Sequence, residues 1–195
     1  MERKVYTKMN EILKAEHIAL IVWDVQKMLV NSIYNKEEFL KNMNNLINTA
    51  RSKKIPVFFT KITPLPQEFE SPARKYSLGK LKFDLSRLPS EMFELEIAPD
   101  KNEIVINKNT ASIFIGTNFE LMARNAGIET LIIAGIATEV GVESTARDSS
   151  NRGFYTVVAS DASSSSDKEA HERSTANMKK LFDVLTTDEI ISDLG

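Results

Sequence analysis

Short β-branched apolar runs alternate with longer amphipathic stretches along most of this chain, and few architectures accommodate that alternation. The runs are Ile18–Trp23, Pro56–Thr60, Glu103–Asn107, Thr130–Ala134, Phe154–Ala159 and, more weakly, Asp183–Leu185. They show little period-two alternation, as expected of parallel strands covered on both faces. Between them the spacing is helical. Over Lys36–Lys53 it lines up Phe39, Met43, Leu46, Ile47 and Ala50 on one stripe. Helices are also predicted over Thr117–Asn125, Glu139–Arg152 and Asp167–Phe182, with a first one over Val5–Leu13. Asn35, Ser166 and Thr186 each stand three residues before a glutamate, the spacing of a capping box. Gly127 and Gly153 fall where helices must stop before the next strand. The pattern predicts an α/β fold: a Rossmann-like, three-layer, doubly wound, six-stranded and mainly parallel sheet with right-handed crossovers.

The 195 residues suit one domain spanning 1–195. Lys61–Pro99 breaks the rhythm, holding five of the six prolines and little periodicity. It starts at the carboxyl end of the second strand, so it is expected to overhang the edge where open α/β sheets bind ligands. Twenty-five basic and 27 acidic residues leave a formal charge of −2, which argues against a nucleic-acid or membrane partner. The N-terminus lacks an apolar signal segment, and the plain expectation is a cytoplasmic protein. With no cysteine, disulfides, thiolate metal sites and a thiol nucleophile are excluded. His17 and His171 lack metal-ligand spacing, so no metal and no cofactor is expected.

Candidate chemistry gathers at strand ends. Asp24 closes A-L-I-V-W-D, where partial desolvation raises a carboxyl pKa and suits it to proton transfer; a simple turn cap is the alternative. Trp23 and Gln26, beside it, are candidates for substrate binding. Lys108 follows E-I-V-I-N and could stabilise developing negative charge or share a proton, although most lysines are solvated surface groups. The segment Gly135–Gly141 runs from a strand into a helix, whose free N–H groups form an anion site without side chains. A close packing contact at Gly141 is the alternative.

Together I-V-W-D-V-Q, I-N-K-x-x-x-S-I-F and G-I-A-T-E-V-G-V-E-S-T-A resemble the isochorismatase-like hydrolase superfamily. The resemblance spans roughly residues 15–190, with Lys61–Pro99 matching poorly. It implies an Asp–Lys–Cys triad in the amidase branches, with Asp24 and Lys108 at the first two places and Gly141 at the cysteine's. It further implies a cis peptide before Ala137, whose N–H joins that of residue 141 in an oxyanion hole. The nicotinamidase metal motif is replaced by Thr60-Lys61-Ile62-Thr63. A small-molecule substrate and a homo-oligomer also follow from the resemblance.

A thioester route needs a thiolate, which Gly141 cannot supply. Isochorismatases dispense with it: their aspartate protonates a vinyl ether carbon and water attacks directly. This chain departs from them in lacking a Trp-Gly-x-Gly segment and in its Ala137-Thr138-Glu139 turn. The expectation is a hydrolase of a small carboxylate- or amide-bearing metabolite, with Lys61 a candidate for holding a carboxylate. Gly141 then reads as room for water or substrate. The alternatives are an inactive small-molecule-binding homologue and a structural oligomerisation module.

Overall fold

The computed structural model describes residues 5–63, 65–80 and 88–194. The six strands are β1 (Ile18–Trp23), β2 (Val57–Ile62), β3 (Ile104–Lys108), β4 (Thr130–Ile136), β5 (Tyr155–Ser164) and β6 (Asp183–Leu185). All pair in parallel, in the order β3-β2-β1-β4-β5-β6. The order reverses between β1 and β4, which makes that crevice the topological switch point.

The helices are α1 (Met9–Ile12), α2 (Lys27–Val30), α3 (Lys36–Ser52), α4 (Pro72–Lys80), α5 (Phe119–Asn125), α6 (Glu143–Asn151), α7 (Lys168–Met178) and α8 (Thr187–Asp193). Strand alternation sorts the core into two layers. Leu20 and Val22 of β1 pack with Phe39, Met43, Leu46 and Ile47 of α3 and with Ile190 of α8. Ala19, Ile21 and Trp23, on the opposite face, pack with Phe119 and Ala123 of α5, Ala146 of α6 and Met178 of α7. Both faces of β1 are therefore buried, and its six residues are apolar throughout.

Several local expectations are revised. The first helix is a single turn, Met9–Ile12, rather than Val5–Leu13. Asn35 does not cap α3; its side-chain oxygen instead accepts from Ser164 Oγ at 2.5 Å. Asp167, not Ser166, caps α7 by accepting from the Ala170 N–H. Thr186 and Glu189 do form the reciprocal capping box at α8. Gly127 and Gly153 adopt φ of 71° and 78°, the left-handed conformation of helix stops.

The 61–99 stretch is more structured than a loop. It carries α4 and short 3-10 turns at Gln67–Phe69 and Ser90–Phe93, with residues 81–87 outside the described set. Gln26 ties this stretch to the sheet. Its amide nitrogen donates to Phe93 O at 2.7 Å and to Ile62 O at 3.3 Å, and its oxygen accepts from Ile62 N at 2.8 Å. Replacing Gln26 by Ala strands these buried groups at about 1–3 kcal/mol each. Chemical denaturation should show that loss, and limited proteolysis should show earlier cleavage within 88–99.

Candidate active site

Asp24 follows β1 directly, and its φ of 45° turns the chain sharply at the sheet edge. The turn aims the carboxylate across the carboxyl ends of β2 and β3. Its Oδ2 accepts from Lys108 Nζ at 2.6 Å, and its Oδ1 accepts from the Thr60 hydroxyl at 2.5 Å. The Asp24 N–H donates in turn to Thr60 Oγ1 at 2.9 Å. Asp24 and Lys108 are only 2% and 3% exposed, so Lys108 is no surface lysine and Asp24 no solvated cap. Sequence reasoning missed Thr60. Its signal was positional, since in a 3-2-1 order the end of β2 must lie beside the end of β1.

Burial dominates the electrostatics of the pair. It pushes the Asp24 carboxyl up, opposed by the charge and hydrogen bond of Lys108 and by the Thr60 hydroxyl. It pushes the Lys108 ammonium down, opposed by Asp24, while the charge of Arg74 adds to the lowering. Both shifts favour the neutral forms, which draws the two groups toward sharing one proton.

Across the switch point, the Ile136–Ala137 peptide is cis, as the resemblance implied. The following residues do not enter an α-helix at once. Thr138–Val142 form a π-helical turn, in which the N–H groups of Val140, Gly141 and Val142 all donate to Ala137 O at 3.1–3.3 Å. The Gly141 N–H is thus engaged within the turn. The Thr138 hydroxyl donates to Ser164 O and faces His171 Nδ1 at 2.8 Å. Glu139 accepts from Ser165 Oγ at 2.7 Å, and Glu143 pairs with Arg147 at 2.6 Å.

The space expected above Gly141 is filled. A Cβ at Gly141 would lie 1.6 Å from Nε1 of Trp23, and a Cβ at Gly135, whose φ is 137°, would lie 2.1 Å from Trp23 O. Trp23 is 1% exposed and its ring lies 3.9 Å from Lys108 Nζ. It packs beneath the pair rather than presenting a face to a ligand. Gln26 is likewise fully buried in its strap contacts, and Lys61 pairs with Glu94 at 3.6 Å. Of the residues read from the sequence, the structure therefore joins Asp24, Lys108, Trp23 and Gly141 in one contact group. Gln26 and Lys61 belong to the neighbouring link between β2 and residues 93–95. Among the described residues, no group of three His, Asp or Glu side chains converges as a metal site, and no helix is long and apolar enough to cross a membrane.

A buried carboxylate–ammonium pair facing a strand-to-helix turn at the switch point places the chain among doubly wound α/β enzyme folds. Comparison with known proteins narrows this. The Isochorismatase domain description matches residues 18–190, and the chain belongs to the isochorismatase-like hydrolase family. It is 28% identical over 191 residues to the uncharacterized isochorismatase family protein YecD of Escherichia coli O157:H7, covering 93% of this chain and 98% of that one. It is 32% identical over 126 residues to an N-carbamoylsarcosine amidase of Arthrobacter sp., covering 63% of this chain and 48% of the amidase. In fold it is similar to a cysteine hydrolase from Pseudomonas syringae pv. phaseolicola, with a TM-score of 0.83, 21% identity and 92% coverage of both chains. An isochorismatase family protein from Burkholderia thailandensis matches with a TM-score of 0.75 at 25% identity, covering 92% of this chain and 96% of that one.

Proposed function

We propose that this chain hydrolyses a small carboxylate- or amide-bearing metabolite by direct attack of water, with Asp24 and Lys108 as its acid–base pair. The observation that carries the reading is the 2.6 Å contact between the two groups in a buried setting that disfavours both charges. A carboxyl group held up by burial is better suited to giving up a proton to substrate than a solvated carboxylate. In the proposed cycle Asp24 gives its proton to the substrate and water adds to the resulting electrophile. The adduct loses a proton to Asp24, whose carboxylate Lys108 balances in between, and then collapses: its C–O or C–N bond breaks and the leaving alcohol or amine departs with the adduct's hydroxyl proton. No bond forms between protein and substrate, because the chain has no cysteine and Gly141 has no side chain.

A second reading, ligand binding without turnover, is favoured by the absence of any cysteine to join the Asp24–Lys108 pair. One experiment separates the two. Purified protein is tested on vinyl ether and amide panels, alongside Asp24→Asn. Turnover that drops by about 10²-fold or more in the variant, the range of a lost general acid, supports hydrolysis. Turnover unchanged in Asp24→Asn sinks the acid–base assignment. Tight binding with no turnover over long incubation favours the second reading.

A further inference from the structure

Trp23 is the chain's one tryptophan, and three features of the site meet on it. Its ring lies 3.9 Å from Lys108 Nζ, its backbone fills the space a side chain at Gly135 would need, and its indole does the same at Gly141. Both glycines of the turn are the negative shape of this one residue. Lys108 enters from the edge strand β3 on a long flexible side chain. On the described structure, its ammonium is held by the Asp24 carboxylate on one side and by the indole on another. A cation beside an aromatic ring is attracted to its negative face, and more so when water is excluded. Among other charged groups, Arg74 of α4, paired with Glu70 at 3.4 Å, also acts on Lys108.

We infer that Trp23 is the positioning residue of the Asp24–Lys108 pair, its indole fixing the ammonium against the carboxylate and excluding water from the Gly141 side of the pair. Trp23 acts through Lys108 and touches no reacting atom. Without the ring, water enters above Gly141, the lysine side chain gains freedom, and the two groups titrate as solvated groups do. The inference rests on Asp24 and Lys108 being the reactive pair. Its test uses no substrate, so its failure is distinct from a failure to find hydrolysis.

The test follows the Asp24 carboxyl carbon and the Lys108 ε-methylene by NMR across pH in the full chain, in Trp23→Phe and in Trp23→Leu. Asp24→Asn and Lys108→Met assign the signals. Trp23→Phe keeps a ring face and should titrate as the parent does. Trp23→Leu removes it; the water that enters solvates both charges and outweighs the lost attraction of the ring for the ammonium, so the Asp24 transition should move toward 3.8 and the Lys108 transition toward 10.5, each by about one pH unit or more. Trp23→Leu titrating like the parent, or Trp23→Phe shifting as far as Trp23→Leu, overturns the proposal. If Trp23→Leu does not fold, the parent decides. Emission from its sole tryptophan should change as the pair titrates and lose that change in Asp24→Asn, whereas flat emission overturns the proposal.

Discussion

Gly141→Ala should be among the most destabilising single-methyl additions in this protein, costing about 3 kcal/mol or more. The added carbon would sit 1.6 Å from Trp23 Nε1, in a layer where Trp23, Val142 and Ala146 are all buried. Overpacking a filled core costs about 1–3 kcal/mol when neighbours yield, and more when they cannot. The indole has little freedom to yield, because its own backbone is pressed against Gly135 and its ring against Lys108. Thermal unfolding should register the change at about 2–4 °C per kcal/mol for a chain of this size. Trp23→Leu alone should also destabilise, through a cavity. The double variant should be clearly more stable than the sum of the two losses, because the smaller side chain vacates the position the new methyl takes. Strict additivity would show that the two residues do not compete for one space. Gly141→Cys obeys the same logic: a thiol at this place requires a smaller residue at 23 as well.

Lys108→Met should cost about 3–5 kcal/mol, since it leaves a buried carboxylate without its counter-charge. The loss should depend on pH in a defined direction. Burial already raises the folded-state pKa of Asp24 above its ordinary value of 3.8, and Lys108 is the main influence holding it down. Removing Lys108 raises it further. Above 3.8 the unfolded chain has released this proton while the folded variant retains it, so folded stability falls as pH rises through that window. Relative to the parent, Lys108→Met should be nearly normal in acid and progressively worse toward neutrality. Urea melts at several pH values would measure this. A deficit that shrinks toward neutrality would place the buried charge elsewhere.

The sheet was legible because most of its strands are short apolar, β-branched runs set between stretches of helical spacing, and β1 and β6 fall within the expected limits. The strand ends were less so. β4 and β5 run on to Ile136 and Ser164 because pairing at the edge, not hydropathy, decides where they stop. Asp24 and Lys108 could be found because both sit at strand ends, yet the burial of Lys108 depends on the cover that Trp23 gives it. Thr60 looked like an ordinary strand residue, and its role appears only once β1 and β2 lie side by side. Gly141 could be read from the sequence either as a packing glycine or as open space. That choice depends on a rotamer of Trp23, more than a hundred residues away, which no local pattern carries. The π-helical turn was hidden for a related reason: nothing local in Thr138–Val142 marks a wider turn, and its five-residue spacing is set by Ala137 O.

The irregular pairing of β4 with β5 has a consequence for recombination between relatives. From Ile133 to Gly135 β4 advances two residues, while its partner advances five, from Val158 to Ser163. Three surplus residues invert the inward–outward phase of β5. Val157 and Ala159 face the α3 layer before the irregularity, and Ala162 faces it afterwards. The serines beyond it thereby come under the turn, where Ser164 O meets Thr138 and Ser165 meets Glu139. Residues 130–142 and 155–165 consequently behave as a single reading frame. A chimera that exchanges them together keeps the frame, whereas a crossover between them, or a one-residue deletion in 159–162, moves the serine supports to the wrong face.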